Sequence, residues 1–319
     1  MTWVTTFALA LAQMVFIVAV APLVNGFIQK LKARLQSRSG ASVWQPYRDL
    51  TKLFRKRAVQ SDSTSSLFVA VPVLVLGATL TAAALVPALW ALANDGQGPA
   101  LPLGDGILLI GLLALARFLT AVGALDAGGA FGGMGASREM TIAPLVEPVL
   151  MLIVFSVMVI AGTSDVTEIA LRRSSLVALG VGAPDIIALA AVLVILIAET
   201  GRIPVDNPDT HLELTMLHEA MLLEHSGPAL GCLMLATHVK QLVVMCLVCA
   251  LFFPMGIAGE LAPTALVVGF GAFAAKVLVL SLFLGLVESS YAKLRLFRLP
   301  QFLATGFVCA FVALALRLL

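Results

Sequence analysis

The chain has 319 residues, 60% of them hydrophobic and 12% charged, with a formal net charge of +2. A soluble domain carries roughly 45–50% apolar and about 25% charged residues, so this composition excludes a soluble enzyme or a nucleic-acid binder. It predicts a polytopic, all-α integral membrane protein, one membrane domain over 1–319 lying in a lipid bilayer.

Apolar runs of spanning length, about 20 residues each, fall at 3–27, 67–92, 106–125, 146–162, 184–200, 228–253, 264–287 and 300–318, giving about eight predicted membrane helices. The first run lacks a basic leader region and a small-residue cleavage site, so it reads as a retained helix rather than a signal peptide. The connectors at about 28–66, 126–145, 201–227 and 288–299 fall on one side. Nine Lys/Arg crowd 28–57, and Arg138, Arg202, Lys293, Arg295 and Arg298 share their side, whereas Arg172, Arg173 and Arg317 lie on the other. Fourteen cations against three make the first side cytoplasmic and place both termini on the far side of a cytoplasmic (inner) membrane.

Within the first connector, Trp44–Arg57 is amphipathic at helical spacing. Trp44, Tyr47, Leu50, Leu53 and Phe54 can share one side, with Arg48, Lys52, Arg55 and Lys56 largely opposite. Such a helix can lie in the membrane interface or dock a peripheral protein.

Ionisable groups recur inside the spans. Arg117 is mid-way along the third span and Asp126 closes it. Arg138 and Glu139 follow in the connector, and Glu147 opens the fourth span. His238 and Lys240 lie in the sixth, Lys276 in the seventh, and Glu288 closes the seventh. A central Arg costs roughly 2.5–3.5 kcal/mol on insertion scales and is tolerated when it faces the bundle and meets an acid. Arg117 is therefore expected to pair with Asp126, Glu139 or Glu147, as part of a polar proton path that includes Lys240.

The most informative stretch is 198–227, AETGRIPVDNPDTHLELTMLHEAMLLEHSG. It holds Glu199, Asp206, Asp209, Glu213, Glu219 and Glu224 against one base, Arg202. Acids beside hydrocarbon are costly, and a cluster of them marks a functional site. If 210–225 is one helix, Glu213 and Glu224 are eleven residues, about three turns, apart on one face. Carboxylates in such an apolar setting can exchange protons near neutrality. His211, His218 and His225 recur every seven residues on the other face, their rings ~10 Å apart along the axis, too far for one shared metal ion. They read as a polar stripe facing a partner.

Other chemistries find little support. Cys232, Cys246, Cys249 and Cys309 all fall in apolar spans, where Cys246-x-x-Cys249 reads as small buried hydrophobes. No Gly-rich phosphate loop follows a strand, since the glycines at 123–135 lie in a helix connector. No internal repeat supports an inverted-repeat transporter.

AETGRIPVDNPDTHLEL resembles the signature of the H-type membrane subunit of complex I (subunit 1 in mitochondria), A-E-x-x-R-x-P-F-D-L-x-E-x-E-x-E-L, with Glu199, Arg202, Pro204, Asp206, Glu213 and Leu214 matching position by position. Glu224-His-Ser-Gly is similar to that family's E-Y-S-G. In the first connector Arg38, Gly40, Gln45-Pro46, Asp49, Lys52-Leu53 and Lys56 match its R-x-G…Q-P-x-x-D-x-x-K-L-x-x-K pattern. The departures at Val205, Asn207, His211, Ser39 and Ala41, the run GASRE…VEP and the VESSYAKLRLFRLP ending are similar to the formate-hydrogenlyase-type membrane subunit of energy-converting NiFe-hydrogenases.

The resemblance implies a subunit with no catalytic residues and no metal or cofactor of its own. Its partners would be peripheral hydrogenase large and small subunits carrying a NiFe centre and iron–sulfur clusters, an iron–sulfur subunit and antiporter-like membrane subunits. Arg38, Gln45, Arg48, Asp49 and Lys52 would dock the peripheral arm. Glu199, Arg202, Asp206, Asp209, Glu213, Glu224, Glu139, Glu147, Arg117, Asp126 and Lys240 would relay protons or coupling charge. Alternatives are the quinone-site subunit of an NADH-quinone oxidoreductase, a nickel-free hydrogenase-related complex, and a stand-alone secondary transporter.

Overall fold

The computed structural model describes residues 3–61, 64–91, 104–179, 182–206, 218–259, 262–292, 294 and 298–319, with backbone alone for 175–179. Asp209, Glu213, His211, Lys293 and Arg295 lie outside the described residues.

Eleven helices are present among the described residues: α1 Trp3–Leu35, α2 Gln45–Arg55, α3 Ser66–Leu85, α4 Gly106–Asp126, α5 Ala130–Ala161, α6 Val166–Leu179, α7 Ala183–Glu199, α8 His218–Leu222, α9 Gly227–Phe252, α10 Pro263–Ser290 and α11 Leu299–Leu318. Seven of them are long and apolar enough to cross a membrane: α1, α3, α4, α5, α9, α10 and α11. The remaining expected span, α7, has 17 residues, the short end of the range for a spanning helix. The chain is an all-α, multi-pass membrane protein.

α9 forms the axis of the bundle, packed by α1, α2, α3, α6, α7 and α10, while α11 closes against α5 and α7. Its run Leu242–Leu251 is buried on every side, as expected of a helix hydrophobic all round. The chain ends share one end of the bundle. Gln13 of α1 reaches the exit of α3, and Arg317 of α11 donates to the Ser156 carbonyl near the exit of α5. Arg173 and Arg317 meet Asp185 at that same end.

Three boundaries differ from those read off the sequence. The second span stops at Leu85 rather than 92, because Val86 precedes Pro87 and takes an extended conformation, as residues before proline do. Buried Gln13 covers the break. Its Nε2 donates to the Val86 carbonyl and its Oε1 accepts from the Ala88 N–H at 3.2 Å.

The connector assigned to 126–145 is helical from Ala130 onward and continuous with the fourth span. Gly129 and Gly132 serve close packing there. A Cβ on Gly132 would come within 2.7 Å of Glu224 Cγ and 2.9 Å of the Ala124 carbonyl oxygen. The single helix considered over 210–225 is described only as the short α8, and the backbone has left helix by His225.

Candidate functional site

Four helices deliver charge to one buried point. Arg117, from the middle of α4, is 6% exposed. On α5, Glu139 and Glu147 are eight residues apart, a little over two turns, and so share a face. Arg117 Nε lies 3.1 Å from Glu139 Oε1, and Nη1 lies 3.6 Å from Glu147 Oε1. Its Nη2 pairs with Glu199, the last residue of α7. Lys240 Nζ, from α9, sits 3.4 Å from the same Glu199 oxygen. Thus Arg117 meets Glu139 and Glu147 of the expected acids, and Glu199 as well. Asp126 is elsewhere, accepting from Ser65 N–H at 2.9 Å and Ser65 Oγ–H at 3.0 Å at the start of α3.

The local turn explains why Glu199 and Arg202 part company. Gly201 has φ +59°, the left-handed conformation that ends many helices and that glycine adopts without strain. The chain then folds back, and Arg202 enters a second buried cluster. Its Nη1 lies 2.9 Å from Glu288 Oε1, and its Nη2 donates to Asn25 Oδ1 at 2.8 Å and Gln241 Oε1 at 2.9 Å. Lys32 Nζ is 3.6 Å from the other Glu288 oxygen. The clusters are joined by the 199–202 turn and by Lys240–Gln241, adjacent residues on α9 that face different ways. Glu288 is the acid that closes the seventh span; Asn25 and Gln241 carry no charge, and their signal is an amide within an apolar run and an amide next to Lys240.

Asp206 accepts the backbone N–H of His218 at 3.0 Å, and His218 Nε2 is 3.1 Å from Thr237 Oγ1. Burial, the largest influence, lowers the His218 pKa below the ordinary histidine value. Arg117, Glu139, Glu199, Asp206, His218 and Lys240 enclose a cavity of about 30 Å³, one water's share of volume. Asp206 and His218 also line a larger cleft of about 630 Å³ together with Lys32, Arg38 and Arg202. They are thus shared by the small cavity and the cleft.

Glu224 is placed apart from this cluster. Its Oε1 accepts the Gly132 N–H at 3.2 Å, and its carboxylate rests on Gly129, the residue that opens α5. An anion at a helix N-terminus is stabilised by the helix dipole, so Glu224 anchors the connector to α5.

Nor do the two described histidines of that stripe, His218 and His225, face outward. His225 is buried and stacked on Phe68 with centroids 4.1 Å apart, and burial lowers its pKa to about 4. An unfolded histidine titrates near 6.5. The folded value is depressed, so the neutral stack contributes its full stability above about pH 6.5 and loses it as pH falls toward 4. Protease cleavage of the connector preceding α9 is expected to rise from pH 7 to pH 4.5 in the wild type and to stay flat in His225→Phe. An equal rise in both would remove His225 as the cause.

Of the residues grouped for docking, Arg38 bonds Gln36 and lines the cleft, and Gln45 Nε2 donates to Asp49 Oδ1 at 2.8 Å. Arg48 and Lys52 instead line a separate groove on the outer side of α2. Among the described residues, no group of three or more His, Cys, Asp or Glu is arranged to hold a metal ion. The four cysteines are free.

Comparison with known proteins bears on all of this. The family model described as NADH dehydrogenase matches residues 7–318. The chain is similar to hydrogenase-4 component C of Escherichia coli (strain K12), 34% identical over 306 residues, covering 95% of this chain and 93% of that protein. It is similar to formate hydrogenlyase subunit 4 of the same organism, 35% identical over 309 residues, covering 95% and 96%. The H-type subunit of the NADH-quinone oxidoreductase of Salinibacter ruber is 27% identical over 236 residues, covering 70% and 66%. In fold, a chain of the membrane-bound sulfane sulfur reductase, an archaeal respiratory membrane complex, superimposes with a TM-score of 0.79 at 21% identity, over 98% of this chain and 99% of that one.

Proposed function

This chain belongs to the NADH dehydrogenase family as a complex I-like membrane subunit, and from that premise we propose that it couples a peripheral redox arm to ion translocation in an energy-converting hydrogenase. The observation that carries the reading is the cluster in which Arg117, Glu139, Glu199 and Lys240 are largely buried and Glu147 forms the partly exposed edge. It reaches the cleft through Asp206 and His218. A membrane-buried set of acids and bases with an opening toward one surface suits the passage of protons, not redox chemistry.

In this reading the NiFe centre and iron–sulfur clusters reside in peripheral large, small and iron–sulfur subunits, and antiporter-like membrane subunits stand alongside. The peripheral arm docks on the cytoplasmic face of the inner membrane, over the Arg38 rim and the Gln45–Asp49 flank of α2. Charge lost or gained in the arm shifts protons at Asp206, and Asp209 and Glu213 extend the acid chain from the connector. Glu199 and Lys240 pass the change to Arg117, Glu139 and Glu147. Arg202, locked to Glu288, keeps the 199–206 turn in register with α10.

Purification of the whole complex through a tag on this chain tests the proposal. Nickel and iron should co-purify, with hydrogen production from an artificial donor and dye-detected acidification of sealed vesicles. A complex without nickel that reduces quinone would replace it. The size of the cleft, about 630 Å³, falls within the range of small-molecule sites and favours the quinone-site subunit as the second reading. Reversing the rim charges with Arg38→Glu and Asp49→Lys is expected to release the soluble subunits from washed membranes. Retention of the full complex would count against that docking face.

A further inference from the structure

We propose that the outer face of α2 is a docking surface for the phosphate headgroups of anionic membrane lipids. At 3.6 residues per turn, Arg48, Lys52 and Arg55 fall within about 60° of one another. They lie opposite the side that buries Pro46 and Leu50 in the protein. With Tyr47, Thr51 and Lys56 they line an open groove of about 570 Å³ that contains no carboxylate. The one acid of the helix, Asp49, is on a flank and is bonded to Gln45.

The depth of this helix selects lipid as the occupant. α2 is seated on α1 at Gly26, where a Cβ would lie 2.1 Å from the Val43 carbonyl oxygen and 3.1 Å from Pro46 Cδ. Gly26 is one residue from the end of the apolar run of α1, which continues to Leu35, roughly 13 Å further at 1.5 Å per residue. Tyr47 points the other way, its hydroxyl donating to the Ala19 carbonyl two turns deeper along α1. α2 therefore lies where hydrocarbon gives way to headgroups. Its Tyr47/Phe54 flank is turned toward the membrane interior, with the Phe54 ring also resting on Gly231 of α9, its Gln45/Asp49 flank faces water, and its three cations point sideways into the headgroup layer.

The aromatics agree with that depth. Trp44 is 59% exposed and Phe54 45% exposed, a liability in water but the ordinary place for aromatic rings at a membrane interface. Arg and Lys stems can lie over the acyl boundary while their charged ends reach phosphate. A peripheral protein docking from above would meet the Gln45/Asp49 flank first, which is why a lipid surface fits this face better.

Each cation near an anionic leaflet contributes about a fivefold gain, so three together give about a hundredfold. The test titrates the full chain in detergent with dioleoylphosphatidylglycerol or dioleoylphosphatidylcholine and counts bound lipid by native mass spectrometry. Phosphatidylglycerol should bind in preference, excess inorganic phosphate should not displace it, and R48K/R55K should retain it. R48Q/K52Q/R55Q should raise the half-saturating concentration about a hundredfold, and the milder R55Q about fivefold. Equal binding of phosphatidylcholine, displacement by inorganic phosphate, or unchanged affinity in R55Q and the triple variant would overturn the proposal. So would release of peripheral subunits from triple-variant membranes with lipid binding intact, which would assign the face to a protein.

Discussion

Arg117→Ala is expected to cost the protein roughly 3–5 kcal/mol of stability, the usual penalty for removing one partner of a buried ion pair. Without the guanidinium, Glu139, Glu147 and Glu199 converge on a site whose remaining neighbouring cation is Lys240. Arg117 draws in all three acids because its charge is spread over a planar fork whose nitrogens lie toward separate carboxylates, Nη2 toward Glu199, Nε 3.1 Å from Glu139 and Nη1 3.6 Å from Glu147. Lysine is a single point charge and cannot reproduce that geometry. Arg117→Lys should therefore be intermediate, and the double variant Arg117→Gln/Glu199→Gln should recover part of the loss by deleting an orphaned acid with its base. The measurement is the fraction of full chain that stays monodisperse in detergent after heating. An Arg117→Ala protein as heat-resistant as the wild type would mean that water, not the ion cluster, satisfies these acids.

How much of this site could be read in advance depended on what kind of residue carried it. Arg117, Glu139, Glu147, Glu199 and Lys240 stand out because charge within apolar runs is expensive, so each was recognisable as a group needing a partner. Their pairing was less legible. Asp126 is nearer Arg117 in sequence than Glu199 is, yet α4 carries Asp126 more than two turns away, to the start of α3. Glu199 arrives because it is the last residue of α7, and its side chain reaches Arg117 of α4 from there. Sequence distance along a helix is a poor guide where the contact is between helices.

Glycine and amide positions were harder to read. The glycines at 123–135 read as a connector, but Gly129 and Gly132 are where Glu224 approaches the backbone of α5, and Gly132 is also where α4 does. Asn25 and Gln241 carry no charge, so nothing in their position marks them as costly to bury, although they complete the shell of Arg202. Glu224 matches a family signature and so reads as a functional acid, while the seven-residue spacing makes His225 read as part of an outward stripe. In the structure Glu224 rests at the start of α5 and His225 is buried against Phe68. A motif preserves position in sequence, and the same position can serve either packing or chemistry.

Glu199→Gln is the variant that separates coupling from catalysis. Three carboxyls, Glu139, Glu147 and Glu199, meet two cations, Arg117 and Lys240, so the cluster is charge-balanced when it carries one extra proton. Moving that proton from one of the three carboxyls to another leaves the net charge of the cluster unchanged. Glu199 is the node, since the same carboxylate oxygen faces both Arg117 and Lys240. Glutamine keeps its shape and an acceptor oxygen but holds no exchangeable proton. The variant leaves two acids against two bases, so the fold should survive. If metal centres in the arm perform the redox step and this cluster only moves charge, hydrogen production from an artificial donor should stay near the wild-type rate. Acidification of sealed vesicles per turnover should fall by roughly 10²-fold, the size of effect typical for loss of a positioned proton-transfer group. Parallel loss of both activities would recast Glu199 as a support of the docking face, and undiminished acidification would move the proton path away from this cluster.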